Sequence, residues 1–151
     1  NRGTIACNTR VGKTHIINEY LLRKMPENPA STIAVEFATT VYTLRDGTSV
    51  KVEVWDTAGH EKYNKFGVHL KDADGIILVF DLRSPKSYDE MAHWLEKIAK
   101  ECKPHVKLMM LGNKLDLVED NPSCRKIAYQ TALKFCSDRS ITYQETSVLR
   151  Q

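Results

Sequence analysis

The chain has 151 residues, a formal net charge of +3, 42% hydrophobic and 27% charged residues. That size and balance fit one folded domain with a single substantial core, and the charge is too mild to argue for a nucleic-acid partner. No apolar run approaches the ~18 residues of a membrane span, and there is no signal-peptide pattern at the N-terminus. Cys7, Cys102, Cys124 and Cys136 are scattered without a C-x-x-C pair. They read as reduced thiols in a cytosolic setting and support neither a zinc site nor a disulfide frame.

In chain order, a strand over 2–7 leads through Cys7-Asn8-Thr9-Arg10-Val11-Gly12-Lys13-Thr14 into a helix over 13–24. Met25-Pro26-Glu27-Asn28-Pro29 stops that helix, because proline removes a donor and restricts its predecessor. Residues 35–44 are rich in β-branched and aromatic side chains, and 50–55 alternate with period two. Asp46-Gly47 between them is a hairpin signal, so these strands should pair antiparallel.

From there strands and helices alternate. Residues 75–80 and 106–111 are apolar runs expected of strands buried on both faces. Helical spacing over 87–102 puts Met91, Trp94, Leu95 and Ile98 on one side, with Ser84-Pro85 as the helix start. A helix over 123–138, with Ile127, Leu133 and Phe135 among its apolar positions, and a last strand over 141–145 complete the pattern. The alternation predicts an α/β fold, a mostly parallel six-stranded sheet with one antiparallel edge strand and helices on both faces. Ligands in such sheets bind at the carboxyl ends of the strands. The loops 7–14, 56–61, 112–116 and 146–148 should therefore converge.

Those loops hold residues with matching chemistry. Gly12-Lys13-Thr14 is the tail of the G-x-x-x-x-G-K-[ST] phosphate loop, in which the Lys reaches the β/γ-phosphates and the Thr hydroxyl holds Mg²⁺. The first glycine of that motif is Cys7 here. Asp56-Thr57-Ala58-Gly59 can hold a metal through the carboxylate, and Gly59 can offer its N–H to a terminal phosphate without a Cβ in the way. In Asn113-Lys114-Leu115-Asp116, a carboxylate accepting from N1–H and the exocyclic amine selects guanine over adenine. The Asn amide can meet the base and brace the phosphate loop, and the Lys stem can lie on the purine face. Each stretch alone also reads as an ordinary turn; their order at these strand ends points to a nucleotide.

With these residues in place, the chain from about 4 to 148 resembles a Ras-type small GTPase, nearest the Rab branch. The resemblance rests on Gly12-Lys13-Thr14, Thr32-Ile33-Ala34-Val35-Glu36-Phe37, Trp55-Asp56-Thr57-Ala58-Gly59, Asn113-Lys114-Leu115-Asp116 and Glu145-Thr146-Ser147. It implies a phosphate-loop (P-loop) G-domain that binds GTP or GDP with Mg²⁺. Cys7, Thr9, Arg10, Val11, Gly12, Lys13 and Thr14 would cradle the phosphates. Thr14, Thr32 and Asp56 would serve the metal, and Thr32 would close over the γ-phosphate. Asn113, Lys114, Asp116, Ser147 and the N–H of Val148 would form the guanine pocket. Lys13, Thr32 and His60 would take part in hydrolysis. Residues 26–37 and 57–71 would be switches that order with the γ-phosphate and meet effectors, an exchange factor and a GTPase-activating protein.

The departures matter as much. Cys7 stands for a glycine, and a glycine-type backbone there would strain it by about 1–3 kcal/mol. Arg10 occupies a position that is usually small and reads as a solvated side chain. Met25 replaces an aromatic, Ala34 a glycine, and Leu149 a lysine. His69-Leu70 stand where Rab proteins have Tyr-Tyr. His60 replaces the Gln that orients the attacking water, so slow intrinsic hydrolysis is expected. Residues 1–151 read as a single G-domain that stops before the family's last helix and its prenylated tail, so membrane attachment is an expectation from the family alone. Two other readings stay open. Cys7, Arg10 and Met25 allow a pseudo-GTPase interaction module with weak or no nucleotide binding. Asp56-Thr57-Ala58-Gly59-His60-Glu61 allows a translation-type GTPase domain, against which the short chain, tight hairpin and Trp55 argue.

Overall fold

In the computed structural model, residues 2–6, 11–19, 36–56 and 70–149 are described, with side chains for 11–19, 39–55 and 70–149. Six strands form one sheet in the order β2-β3-β1-β4-β5-β6. They are β1 (Arg2–Ala6), β2 (Glu36–Thr43), β3 (Ser49–Asp56), β4 (Gly75–Asp81), β5 (Lys107–Asn113) and β6 (Thr142–Thr146). Every pairing is parallel except β2 with β3. This is the expected sheet, with the antiparallel strand at its edge.

The β2–β3 turn forms as Asp46-Gly47 predicts. Gly47 takes φ +84, which only glycine adopts without cost, and Leu44 N–H donates to the Thr48 carbonyl at 2.8 Å. Asp46 accepts from Thr48 N–H at 2.9 Å. That bond holds its carboxyl below the usual range.

The helices among the described residues are α1 (Lys13–Ile17), α2 (Pro85–Glu101), α3 (Leu115–Asp120) and α4 (Tyr129–Ser137). Ser84 caps α2 by accepting from Ser87 N–H, with proline in the first turn. Met91, Trp94 and Ile98 face inward as predicted, and Leu95 is half-buried.

The 123–138 expectation needs correction. Pro122–Cys124 is a short 3₁₀ turn, Ile127 is buried in irregular chain, and the helix starts at Tyr129. Its buried positions are Ala132 and Cys136, while Leu133 and Phe135 are half-buried. Arg125, Lys126 and Ile127 are tied instead by side-chain bonds and by backbone bonds to Leu82, which hold the segment off helical geometry. A further helix, α3, was not expected, and Asp116 lies in its first turn rather than in a loop.

Both faces of β4 are covered. Phe80 points one way and Val79 the other, and each is 0% exposed. The Phe80 ring meets Tyr88 of α2 with centroids 5.2 Å apart, and Tyr88 meets Phe135 of α4 at 5.7 Å. Those helices share the Phe80 side. Val54 lies on the Val79 side by register, and α1 packs against β3.

Burial rises along β5 from an exposed Lys107 to a buried Asn113. The carboxyl ends of the strands are thus set in dense packing. The chain leaves β1 towards β3 and leaves β4 towards β5, so the strand order reverses beside β1, where such sheets bind ligands.

Candidate functional site

The phosphate-loop stretch enters the described residues at Val11. Val11 is buried, and its carbonyl accepts from Asn113 Nδ2 at 2.8 Å. Gly12 caps α1 with φ +95, in the left-handed region. A Cβ built there would collide with the Asn113 side-chain amide. Gly12 and Asn113 therefore specify each other across 101 positions of sequence: one must lack a side chain because the other fills that space. Lys13 is buried and Thr14 half-buried in the first turn of α1. Cys7, Thr9 and Arg10 lie outside the described residues.

The second group follows β5. Asn113 is only 2% exposed. Its Nδ2 reaches Val11, while its Oδ1 is buried with no hydrogen-bond partner among the described residues. Lys114 caps α3 with φ +68, a left-handed conformation that costs a residue with a Cβ about 1–2 kcal/mol. Asp116 is buried in the first turn of α3, where a carboxylate suits the positive helix end. Its Oδ1 accepts from the Ser147 hydroxyl at 2.7 Å. Its other oxygen makes no hydrogen bond among the described residues.

The third group follows β6. Ser147 is buried, and its Oγ also accepts from Leu149 N–H at 3.1 Å. Val148 is half-buried and Leu149 is 68% exposed. A bidentate ion pair braces this loop from below: Arg125 donates to both Glu145 oxygens, at 2.8 and 2.7 Å. Tyr143 adds its hydroxyl to Glu145 at 2.9 Å. The Glu145 bond raises the Arg125 pKa against the opposing effect of burial. Burial first, then the Glu145 carboxylate, pushes the Tyr143 hydroxyl well above its usual range.

So the loops after β1, β5 and β6 converge as expected, joined by Asn113 to Val11 and by Ser147 to Asp116. Asp56 ends β3 opposite Ile5 of β1 in register. Thr32, Gly59 and His60, and most of 26–37 and 57–71, lie outside the described residues. The far end of the second segment, Leu70 and Lys71, is described: Leu70 is fully buried and Lys71 is exposed.

Sequence reasoning missed one residue here. Asp81 ends β4 directly beside Asn113 in register. Its Oδ1 accepts from Arg83 N at 2.9 Å and Arg83 Nε at 3.1 Å. Its Oδ2 accepts from an Arg83 terminal nitrogen at 3.0 Å and from Lys114 Nζ at 2.8 Å. Burial, the largest single influence, would raise the Asp81 pKa; the hydrogen bonds from Arg83 and Lys114 together outweigh it and hold the carboxyl low. The signal was available: a lone acid closing an otherwise apolar strand is rarely left unpaired.

A six-stranded sheet with this order and these joined loops defines the α/β fold of a G-domain. The Ras family profile matches residues 4–151. The chain is similar to the Ras-related protein RABA4d of Arabidopsis thaliana, at 33% identity over 92% of this chain and 61% of that protein. It is likewise similar to the GTP-binding protein YPTC5 of Chlamydomonas reinhardtii, at 34% identity over 91% of this chain and 68% of that protein. The matched part thus spans roughly three-fifths to two-thirds of the length of these curated relatives. The chain belongs to the Ras family, and its relatives place it near the Rab branch.

Proposed function

We propose that this protein is a Rab-like molecular switch that binds GTP and GDP with Mg²⁺ and hydrolyses GTP slowly. The observation that carries the proposal is the Asp116 carboxylate, which Ser147 holds by one oxygen so that the other can accept from guanine. Two further features fit a nucleotide. Asn113 Oδ1 is buried and unpaired among the described residues, a costly state for a polar atom unless something meets it. Gly12 and Asn113 lock the phosphate-loop backbone against the base loop, so that one ligand can span both.

In this reading Lys13 faces the β/γ-phosphates, Thr14, Thr32 and Asp56 hold the metal, and Gly59 offers its N–H to the terminal phosphate. Bound Mg²⁺ supplies charge neutralisation on the phosphates. Asn113 and Asp116 read the edge of the base, Lys114 covers its face, and Ser147 and Val148 close the pocket. Cys7, Thr9, Arg10 and Val11 complete the phosphate cradle. His60 orients the attacking water poorly in place of Gln, which is the reason for slow turnover.

Segments 26–37 and 57–71 would present the nucleotide state to effectors, an exchange factor and a GTPase-activating protein, with recruitment in vesicle traffic proposed on the family resemblance. No described helix is long and apolar enough to cross a membrane. Peripheral attachment through a lipidated tail is the form of membrane contact proposed.

The test is nucleotide content after purification, followed by Asp116→Asn. Retained GDP or GTP is expected, with preference moving from guanine to xanthine in the variant, since the amide donates where the carboxylate accepted. A protein that elutes empty and shows no Mg²⁺-dependent guanine affinity would refute the proposal.

A further inference from the structure

The Asp81 cluster lies outside every motif used above, yet it holds one of the proposed pocket residues by both ends. The backbone end of Lys114 is fixed because the preceding residue closes β5, where Leu82 N–H donates to the Asn113 carbonyl at 3.2 Å. Its φ of +68 aims the side chain in a direction a right-handed residue would not take. The far end is fixed at 2.8 Å on Asp81 Oδ2.

Asp81 is itself held at several points. Its side chain is 10% exposed, its backbone N–H donates to the Ser87 hydroxyl at 3.0 Å, and Arg83 engages both carboxylate oxygens. Ser87 in turn donates to the Ser84 carbonyl at 2.9 Å, at the start of α2. A chain of short bonds thus runs from the cap of α2 through Asp81 to the ammonium of Lys114.

A lysine stem tied at both ends presents its methylenes as a fixed surface, where a free lysine would have to be ordered on binding. We propose that Asp81 is a positioning residue for nucleotide binding, stretching Lys114 across the pocket so that its stem forms a preset platform for the purine face. This rests on the assignment of the pocket to a guanine nucleotide. Asp81 touches no nucleotide in this scheme and acts wholly through Lys114. Arg83 is the competing cation that keeps the carboxylate ionised and oriented.

The test is a double-mutant cycle on the dissociation rate of a fluorescent GDP, using Asp81→Asn, Lys114→Met and the double variant of the full chain. Asp81→Asn is expected to speed release about tenfold, a typical coupling for groups in contact. In the Lys114→Met background the same change should alter the rate by less than about twofold, since the platform is already gone. Association should be little affected, because a preset surface acts mainly on residence.

A merely structural Asp81 would speed release equally in both backgrounds, and that additivity, or an unchanged rate in Asp81→Asn, would overturn the proposal. Asp81→Glu keeps the charge and is expected to recover most of the slow release. If Asp81→Asn does not fold, Asp81→Glu decides alone: release as fast as in Lys114→Met overturns the proposal, and release near that of the parent protein supports it. A parent protein that takes up no GDP fails at the earlier step and removes the pocket assignment beneath the proposal, an outcome distinct from additivity in a protein that binds.

Discussion

Gly12→Ala tests whether the phosphate loop and the base loop are built around one another. Two costs are expected. The first is conformational: φ is +95 at this position, and placing an L side chain there costs about 1–2 kcal/mol. The second is displacement, because the new methyl would overlap the Asn113 amide. Asn113 is 2% exposed and its Nδ2 is bonded to the Val11 carbonyl. It cannot swing into solvent, and moving it leaves a buried donor and acceptor apart, at about 1–3 kcal/mol.

The sum is about 2–5 kcal/mol, a large share of the roughly 5–15 kcal/mol that holds an ordinary domain together. Urea unfolding at one fixed nucleotide state measures it, since bound ligand shifts apparent stability. Asn113→Ala separates the two costs. It removes the obstacle and leaves the dihedral cost, so the double variant should be less destabilised than the two single changes added together, by about 1 kcal/mol or more. A Gly12→Ala protein within about 0.5 kcal/mol of the parent, or strictly additive singles, would refute the reasoning.

Further outcomes follow from the same geometry. At Gly112 a Cβ would stand 2.7 Å from Leu82 Cδ2 and 2.8 Å from the Tyr143 hydroxyl, so Gly112→Ala should lose about 1–3 kcal/mol by overpacking, and adding Tyr143→Phe should recover part of it in the same urea assay. Burial pushes the Cys136 thiol from 9.0 to about 11. The unfolded thiol therefore ionises first, and stability present below pH 9 should fall as pH rises from about 9 to 11, at about 1.4 kcal/mol per unit; Cys136→Ala should flatten that slope, and an unchanged slope would exclude the thiol as its source. His60→Gln should speed GTP hydrolysis under single-turnover conditions, and a rate unchanged or slower would remove His60 as the cause of slow turnover.

Much of this fold was legible in the sequence because the strands announce themselves in two ways. Residues 75–80 and 106–111 are apolar without alternation, which is what burial on two faces demands, and Asp46-Gly47 permits the left-handed turn that reverses β2 into β3. The segment 123–128 departs from the predicted helix for a physical reason. Apolar spacing reports which residues are buried, and Ile127 is buried, but side-chain and backbone bonds from Arg125, Lys126 and Ile127 override helical geometry there. Those partners are Leu82, just past β4, and Glu145 of β6, and they leave no periodic trace. Helix α3 was missed because Lys114 starts it in a left-handed conformation that lysine does not advertise. Asp116, Asn113 and Gly12 were legible as chemistry, whereas Asp81 was not, because its meaning comes from lying beside Asn113 in the sheet.

The two halves of the proposed pocket differ in kind. On the base side, each contact is held by a named partner: Asn113 by Val11 and Gly12, Asp116 by Ser147 and the helix end, Lys114 by Asp81, and the strand beneath Ser147 by Arg125 with Glu145. On the phosphate side, the sequence keeps Gly12-Lys13-Thr14 but places Cys7 and Arg10 where glycine and a small residue are usual. Binding energy concentrated on the base would make recognition of guanine depend less on the number of phosphates than in a loop of standard composition. The eroded loop is then compatible with a working switch, because its described end, Val11 and Gly12, is held from β5 by Asn113.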